Sequence, residues 1–312
     1  MNTGTCALCL QTRELKLSHI IPDFVGRHFK KTSPTGYLRN IMNPNKREQD
    51  LMKEYLLCAE CEQRFSVFER EFAEKAFHPF AMRELKELNY EEWLKKFIIS
   101  VHWRIGISGL NSTINEKSSM YPLYLRTLEE WRRYLLDLPN IDERCKHHII
   151  FIEDVGIEYT LPIKNPDFFP VDGYTYRSLD FGVSMLNSLN QKYLSVWTKL
   201  PEGIAMVSNI IPINERGWLN THVTNSGTIK IAEQQIGQIF KTILEIRCGM
   251  IAGMLETSKI SEKQRSKIFN DIKDNIKKDE GNAKSKGLIS LLRDHKSHEY
   301  HSDFLSGNSN TK

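Results

Sequence analysis

Cys6-Ala7-Leu8-Cys9, Ser18-His19-Ile20-Ile21-Pro22 and Cys58-Ala59-Glu60-Cys61 are the stretches on which the reading of this 312-residue chain turns. Each Cys-x-x-Cys pair is a knuckle that can place two thiolates on one ion, and two knuckles match a closed tetrahedral zinc site. Such a site supplies folding energy and leaves no position open for chemistry, so zinc here is expected to be structural. His19 lies between the knuckles. Ile20 and Ile21 read as the buried part of a short strand that holds its imidazole in place.

The order knuckle, histidine, knuckle, helix resembles that of the HNH, or ββα-metal, endonucleases. The resemblance spans residues 6–77, about a quarter of the chain. In that family a zinc-stapled hairpin presents a general-base histidine, and the helix that follows carries a ligand of a catalytic metal ion. The resemblance therefore implies that His19 is the general base, a role suited to an imidazole with a reference pKa of about 6.5. It also implies a catalytic Mg²⁺ or Mn²⁺ ion. Family members commonly place an Asp just before the base histidine, where this chain has Ser18, and a hydroxyl is a poorer Mg²⁺ ligand than a carboxylate. The second ligand follows the last knuckle cysteine, and here that residue is Glu62, a sound ligand for a hard cation. Glu69, two helical turns on, is read as solvated. The family's central Asn has no counterpart shortly before Cys58, where Lys53 and Glu54 stand, and Asn40, Asn43 and Asn45 read as turn residues.

At 40% hydrophobic and 26% charged residues the chain has the composition of an ordinary soluble globular protein. No apolar run approaches about 18 residues, so no membrane span is expected. The N-terminus has no basic region followed by an apolar stretch, and the expected location is the cytoplasm. In a reducing compartment six cysteines are ligands or buried thiols rather than disulfides. Cys145 and Cys248 read as core or surface thiols.

The net charge is +4, and residues 1–50, with eight bases against four acids, carry an equal excess. Positive potential beside His19 suits a phosphate backbone. Arg27, His28, Lys30, Lys31, Lys46 and Arg47 are the candidate nucleic-acid contacts, and the partner that the resemblance implies is DNA. No Gly-rich phosphate loop is present, which argues against an ATPase.

The fold class read from the pattern is α+β. A zinc-stapled ββα-metal module over residues 1–78 is followed by a body of helices and antiparallel sheet over 79–256, and by a charged, helical or disordered tail over 257–312. Between Pro22 and Met52 the turn residues suggest a connection with at most one short strand. From Glu62 the spacing of Phe65, Phe68, Phe72 and Ala76 predicts a helix, which His78-Pro79 should end. Further helices are expected near 91–110, 123–138 and 231–256, and strands at 148–153, 157–163, 174–180, 193–198 and 205–211. Ile268, Ile272 and Ile276 permit an exposed amphipathic helix in the tail. His295, His298 and His301 lie in its polar part and are not expected to bind metal; His147 and His148 read as packing or surface residues.

The function expected from these features is metal-dependent hydrolysis of nucleic-acid phosphodiester bonds, and the resemblance implies a setting such as bacterial restriction or phage defence. The alternative is a zinc-stabilised nucleic-acid-binding or protein-interaction module that does not cleave, with Ser18 and the missing Asn in its favour. A third reading makes the knuckles a scaffold staple only. The body carries no motif, and by size it suits target selection, oligomerisation or a partner protein.

Overall fold

The computed structural model describes residues 2–33, 35, 37–40, 43–108, 116–138, 144–152, 178–188, 191–211, 217–257 and 261–279. Strand β1 (Thr3–Thr5) turns through the first knuckle into β2 (Thr12–His19), with Thr5 opposite Thr12. Helix α1 (Asp23–Thr32) starts directly behind Pro22, with Asp23 in its first turn and Lys30 and Lys31 in its last, the charge order that complements a helix dipole. A ribbon of β3 (Leu38–Asn40) and β4 (Asn43–Glu48) leads to β5 (Lys53–Cys58), which pairs antiparallel with β2 and gives the sheet order β1-β2-β5. Helix α2 (Ala59–Phe72) leaves from the second knuckle.

The segment between Pro22 and Met52 thus carries a helix and two strands where its sequence suggests at most one short strand. Its helix carries few apolar residues, so the period is hard to see, and such a helix is held by tertiary packing rather than propensity. Phe24 supplies that packing, with its ring centroid 5.2 Å from that of Phe77 and 6.2 Å from that of Phe72.

Helix α2 buries Phe65, Phe68 and Phe72, as their spacing predicts. His78-Pro79 does not end the helical path. A π-helical turn, Ala73–Phe77, runs into the short helix α3 (His78–Ala81), where Pro79 occupies the first turn and needs no N–H donor.

Strand β6 (Glu87–Tyr90) precedes α4 (Glu92–Ile107), which is buried around most of its circumference, the mark of a central core helix. Phe97 of α4 stacks on Phe72 at 3.9 Å. Helix α5 (Tyr121–Leu135) crosses α4 at Gly106, where a Cβ would come within 2.3 Å of Leu128. Strands β7 (Lys146–Phe151), β8 (Asp180–Ser188), β9 (Gln191–Leu200), β10 (Ile204–Ile211) and β11 (His222–Val223) form an antiparallel sheet in the order β11-β7-β10-β9-β8. Strand β12 (Gly227–Lys230) pairs with β6. Helices α6 (Gln238–Thr257) and α7 (Glu262–Asp279) follow.

Alternation along the strands serves two cores. Ile149, Phe151, Leu194, Val196 and Met206 join the cluster built on α4, while Ile150, Ile152, Tyr193, Trp197 and Val207 meet Phe240, Ile243 and Leu244 of α6. The first cluster runs without a break from Cys6 and Cys58 through α2 and α4 to the sheet, so packing crosses residue 78.

The architecture is mixed helix and antiparallel sheet, with strands where 148–153, 193–198 and 205–211 predict them. Residues 157–163 and 174–177 lie outside the described residues; a strand runs from Asp180 to Ser188, where Gly182, Ser184 and Asn187 hide an edge strand from the sequence pattern. Ile231–Glu233 form a 3₁₀ turn, so the helix expected from Ile231 starts at Gln238. The tail helix forms as α7, and His295, His298 and His301 lie outside the described residues. Among the described residues no helix is long and apolar enough to cross a membrane.

Candidate metal centres

The first knuckle is a tight turn in which the Leu10 N–H donates to the Cys6 carbonyl at 2.8 Å and Leu10 adopts φ 61°. The second straddles the junction of β5 and α2, with Cys58 closing the strand and Cys61 in the first helical turn. All four sulfurs lie within 4.8 Å of one another, and Cys9 Sγ is 3.9 Å from Cys58 Sγ. A tetrahedral ion with metal–sulfur bonds of about 2.3 Å needs sulfurs about 3.8 Å apart, so the four can hold a metal ion. Burial raises the Cys6 thiol, but N–H groups of Cys9, Cys58 and Leu8 outweigh it and bring its pKa down to about 7. Burial and the neighbouring sulfurs push Cys61 far up. With Cys61 held as a thiol in the absence of an ion, a bound cation would be what lets all four sulfurs ionise at this spacing.

A second group gathers at the far end of β2. His19 closes the strand opposite Lys53, and the Ile20 N–H donates to the Met52 carbonyl at 3.1 Å. Ile20 and Ile21 are buried, as the motif predicts. Pro22 then turns the chain into α1, which brings Asp23 back beside the imidazole, while Asp50 arrives from the link between β4 and β5. His19 Nε2 is 3.4 Å from Asp23 Oδ1 and 3.4 Å from Asp50 Oδ1. It is buried, yet it makes no well-aligned hydrogen bond.

The two carboxylates are arranged alike. Each turns Oδ1 toward His19 and gives Oδ2 to a cation, Arg27 for Asp23 and Lys53 for Asp50. Such outer contacts orient ligands around a metal ion. Lys53, helped by the Leu51 N–H, holds the Asp50 carboxyl at about 2, against the effect of burial. Burial, then the charge of Lys53, pushes the His19 imidazole below its ordinary value, despite Asp50. Near neutral pH the group is a neutral imidazole facing two anions, a donor set for a divalent cation. Among the described residues the four cysteines and His19-Asp23-Asp50 are the groups with this metal-holding geometry.

The expected ligands Ser18 and Glu62 do not meet His19. Ser18 faces the interior, accepts from the Leu57 N–H at 3.2 Å and donates to the Lys16 carbonyl at 3.4 Å. It takes the opposite side of the strand from His19 because neighbouring strand residues alternate. Glu62 sits in the first turn of α2, with a buried Oε1 that lacks a hydrogen-bond partner, outside the His19 group. Glu69, read as solvated, is instead paired with Arg104 at 2.7 Å. The carboxylates that stand beside His19 are those of Asp23 and Asp50. The i, i+4 step from His19 to Asp23 across Pro22 was visible in the sequence, but Asp50 has no local signature.

The candidate nucleic-acid residues are largely engaged within the chain. Arg27 anchors Asp23, Lys30 donates to the Gln49 carbonyl at 3.0 Å, and Lys46 pairs with Glu48 at 3.2 Å. Arg47 lies 3.7 Å over the Tyr37 ring and pairs with Asp271 of α7 at 3.3 Å. His28 turns inward, and its Nε2 lies 3.0 Å from the buried Glu202 carboxylate in the turn between β9 and β10. Lys31 is exposed at the end of α1.

His147 and His148 are buried, with Nδ1 atoms 2.8 Å from Ser208 Oγ and 3.0 Å from Thr221 Oγ1. Compared with known proteins, the chain matches no family model, no curated protein and no solved structure.

Proposed function

We propose that this chain is a metal-dependent nuclease of the ββα-metal kind, in which His19, Asp23 and Asp50 hold the catalytic divalent ion and Cys6, Cys9, Cys58 and Cys61 hold a structural zinc. One observation carries the reading: a buried imidazole nitrogen stands 3.4 Å from each of two carboxylates at the end of β2. Supporting it, β2 pairs antiparallel with β5, past the inserted α1 and the β3-β4 ribbon, and α2 leaves from the end of β5, with the cysteines joining their ends. This is the order that the resemblance implies.

A divalent ion in this place supplies Lewis acidity toward a phosphodiester and an acidified water. The chain's own residues prepare the place for it. Asp23 and Asp50 contribute the negative charge, and Arg27 and Lys53 fix their orientation. Arg104 fixes the His19 backbone. His19 Nε2 faces the carboxylates, so its part in this reading is that of a ligand, where the resemblance alone implies a general base. The cysteine set is closed and takes no part in the reaction.

Purified protein incubated with plasmid and single-stranded nucleic acid should cleave in Mn²⁺ or Mg²⁺. His19→Ala and Asp50→Ala should abolish cleavage while the cysteine-bound metal remains. Cleavage that persists in both variants removes the chemistry from this site. Binding without cleavage in any divalent ion favours the inactive module.

A further inference from the structure

We infer that Tyr55 and Leu17 form a platform for an unpaired nucleobase beside the His19 site, so that the substrate is single-stranded at the point of cleavage. The inference rests on the nuclease reading and names its substrate class. Strand β2 pairs with β5 so that Leu17 faces Tyr55 and, one step along the same face, His19 faces Lys53. Side chains two residues apart in a strand share a face and stand about 7 Å from each other. The inner face of the pair is closed, with Ser18 and Leu57 buried. On the other face Tyr55 is 53% exposed and Leu17 48% exposed, in a row that ends at the half-buried imidazole of His19.

An exposed aromatic next to an exposed aliphatic invites an occupant. A protein partner needs about 800 Å² on each side of a stable interface, far more than two half-exposed side chains offer. A nucleotide fits the scale. It is apolar on the face of its base and anionic at its phosphate, and the row is apolar at Tyr55 and Leu17 and cation-holding at His19, Asp23 and Asp50. Aromatic side chains bind single strands by stacking, whatever the base, because every base has a π-face. In an intact duplex both faces of a base are already covered by neighbouring pairs, so only an unpaired base can use the tyrosine.

The test uses the full-length protein in Ca²⁺, with the strand checked to be uncut on a denaturing gel, and an oligodeoxynucleotide carrying 2-aminopurine, offered single-stranded and as a duplex. Wild type should prefer the single strand and quench the probe. Tyr55→Ala should weaken single-strand binding by about 5- to 150-fold, the range of one base–aromatic stack, and lose the quenching. Tyr55→Phe should keep both, and duplex affinity should stay the same in all three proteins. Single-strand affinity unchanged in a folded Tyr55→Ala protein overturns the inference. So does a wild-type preference for duplex, or a change of oligomeric state on substitution, which would assign the face to a second copy. If His19-dependent cleavage survives any of these results, the nuclease reading stands and only the platform falls. If wild type binds and cleaves no nucleic acid, both fall.

Discussion

The guanidinium of Arg104 donates to the backbone carbonyl of His19 at 2.8 Å. Its other terminal nitrogen meets Glu69 Oε1 at 2.7 Å, and its Nε donates to the Ser100 carbonyl at 3.2 Å. The side chain is only 3% exposed. A cation from the central helix therefore joins the end of β2 to α2 at the residue that carries the candidate site. Burying a charge in this way is tolerated because the geometry satisfies it.

Removing Arg104 should be costly in two ways. Arg104→Ala leaves Glu69 without its partner and the His19 carbonyl without its donor, and breaking a buried pair typically costs about 3–5 kcal/mol. The variant should unfold at lower urea concentration and bind Mn²⁺ more weakly. Arg104→Met combined with Glu69→Gln should recover much of the stability, since no charge is then stranded. Equal destabilisation in the single and double variants would show that the ion pair is not what Arg104 supplies.

The cysteine centre should hold one metal ion per chain, with zinc expected on elemental analysis. Structural zinc is worth about 10–16 kcal/mol in small zinc-finger peptides. The cysteines belong to the same apolar cluster as α2, α4 and the sheet. Cys58→Ser should thus lower the melting temperature of the whole described core, in a single transition. A body that melts at its usual temperature after the substitution would mean that the N-terminal unit is energetically separate.

Ligand assignments can be separated from resemblance by calorimetric Mn²⁺ titration. His19→Ala, Asp23→Asn and Asp50→Asn should each weaken Mn²⁺ by more than about 10-fold, while the zinc content stays constant. Glu62→Ala should leave Mn²⁺ binding unchanged. Ser18→Ala should spare it too, but cost about 1–3 kcal/mol of stability by leaving the buried Leu57 N–H without an acceptor. Loss of Mn²⁺ in Glu62→Ala together with its retention in Asp50→Asn would restore the sequence-based assignment.

These contrasts follow from what a sequence can carry. The knuckles are legible because each is a local turn with fixed spacing, and His19 because the cysteines and Ile20-Ile21-Pro22 frame it. Phe65, Phe68 and Phe72 reveal α2 through their period. Asp50 is different: it reaches His19 only because β5 returns antiparallel along β2, a pairing of distant segments. Asp23 depends on α1, whose helix leans on Phe24 packing against Phe72, Phe77 and Phe97 rather than on a visible apolar stripe. Arg104 carries no motif and is found only once α4 is placed at the centre. Charge counting overstates the net positive potential, because Arg27, Lys46 and Arg47 each pair with a carboxylate of the same chain.

Acid should unfold the body at a pH set by its buried histidines. His102 Nδ1 lies 2.6 Å and His147 Nδ1 2.8 Å from the same Ser208 hydroxyl, so in the neutral pair one imidazole donates to the oxygen and the other accepts from it. Burial lowers His102 and His148 to about 3, and it drives His147 well down with help from the charge of His102. In the unfolded chain each returns to about 6.5. Between these values the unfolded state binds protons that the folded state refuses. The contribution is therefore fully present above pH 6.5 and is lost as pH falls from 6.5 toward 3, at up to about 1.4 kcal/mol per pH unit for each histidine. The window from pH 6.5 to 5 lies above the range of ordinary carboxylates, and the half-buried His19, His78 and His222, also lowered by burial, add to the loss there. Urea denaturation across that window should show a steep loss of stability, and His147→Gln, which keeps a partner for Ser208 but cannot titrate, should reduce the slope by about one proton. A slope unchanged in His147→Gln would assign the acid lability to other groups.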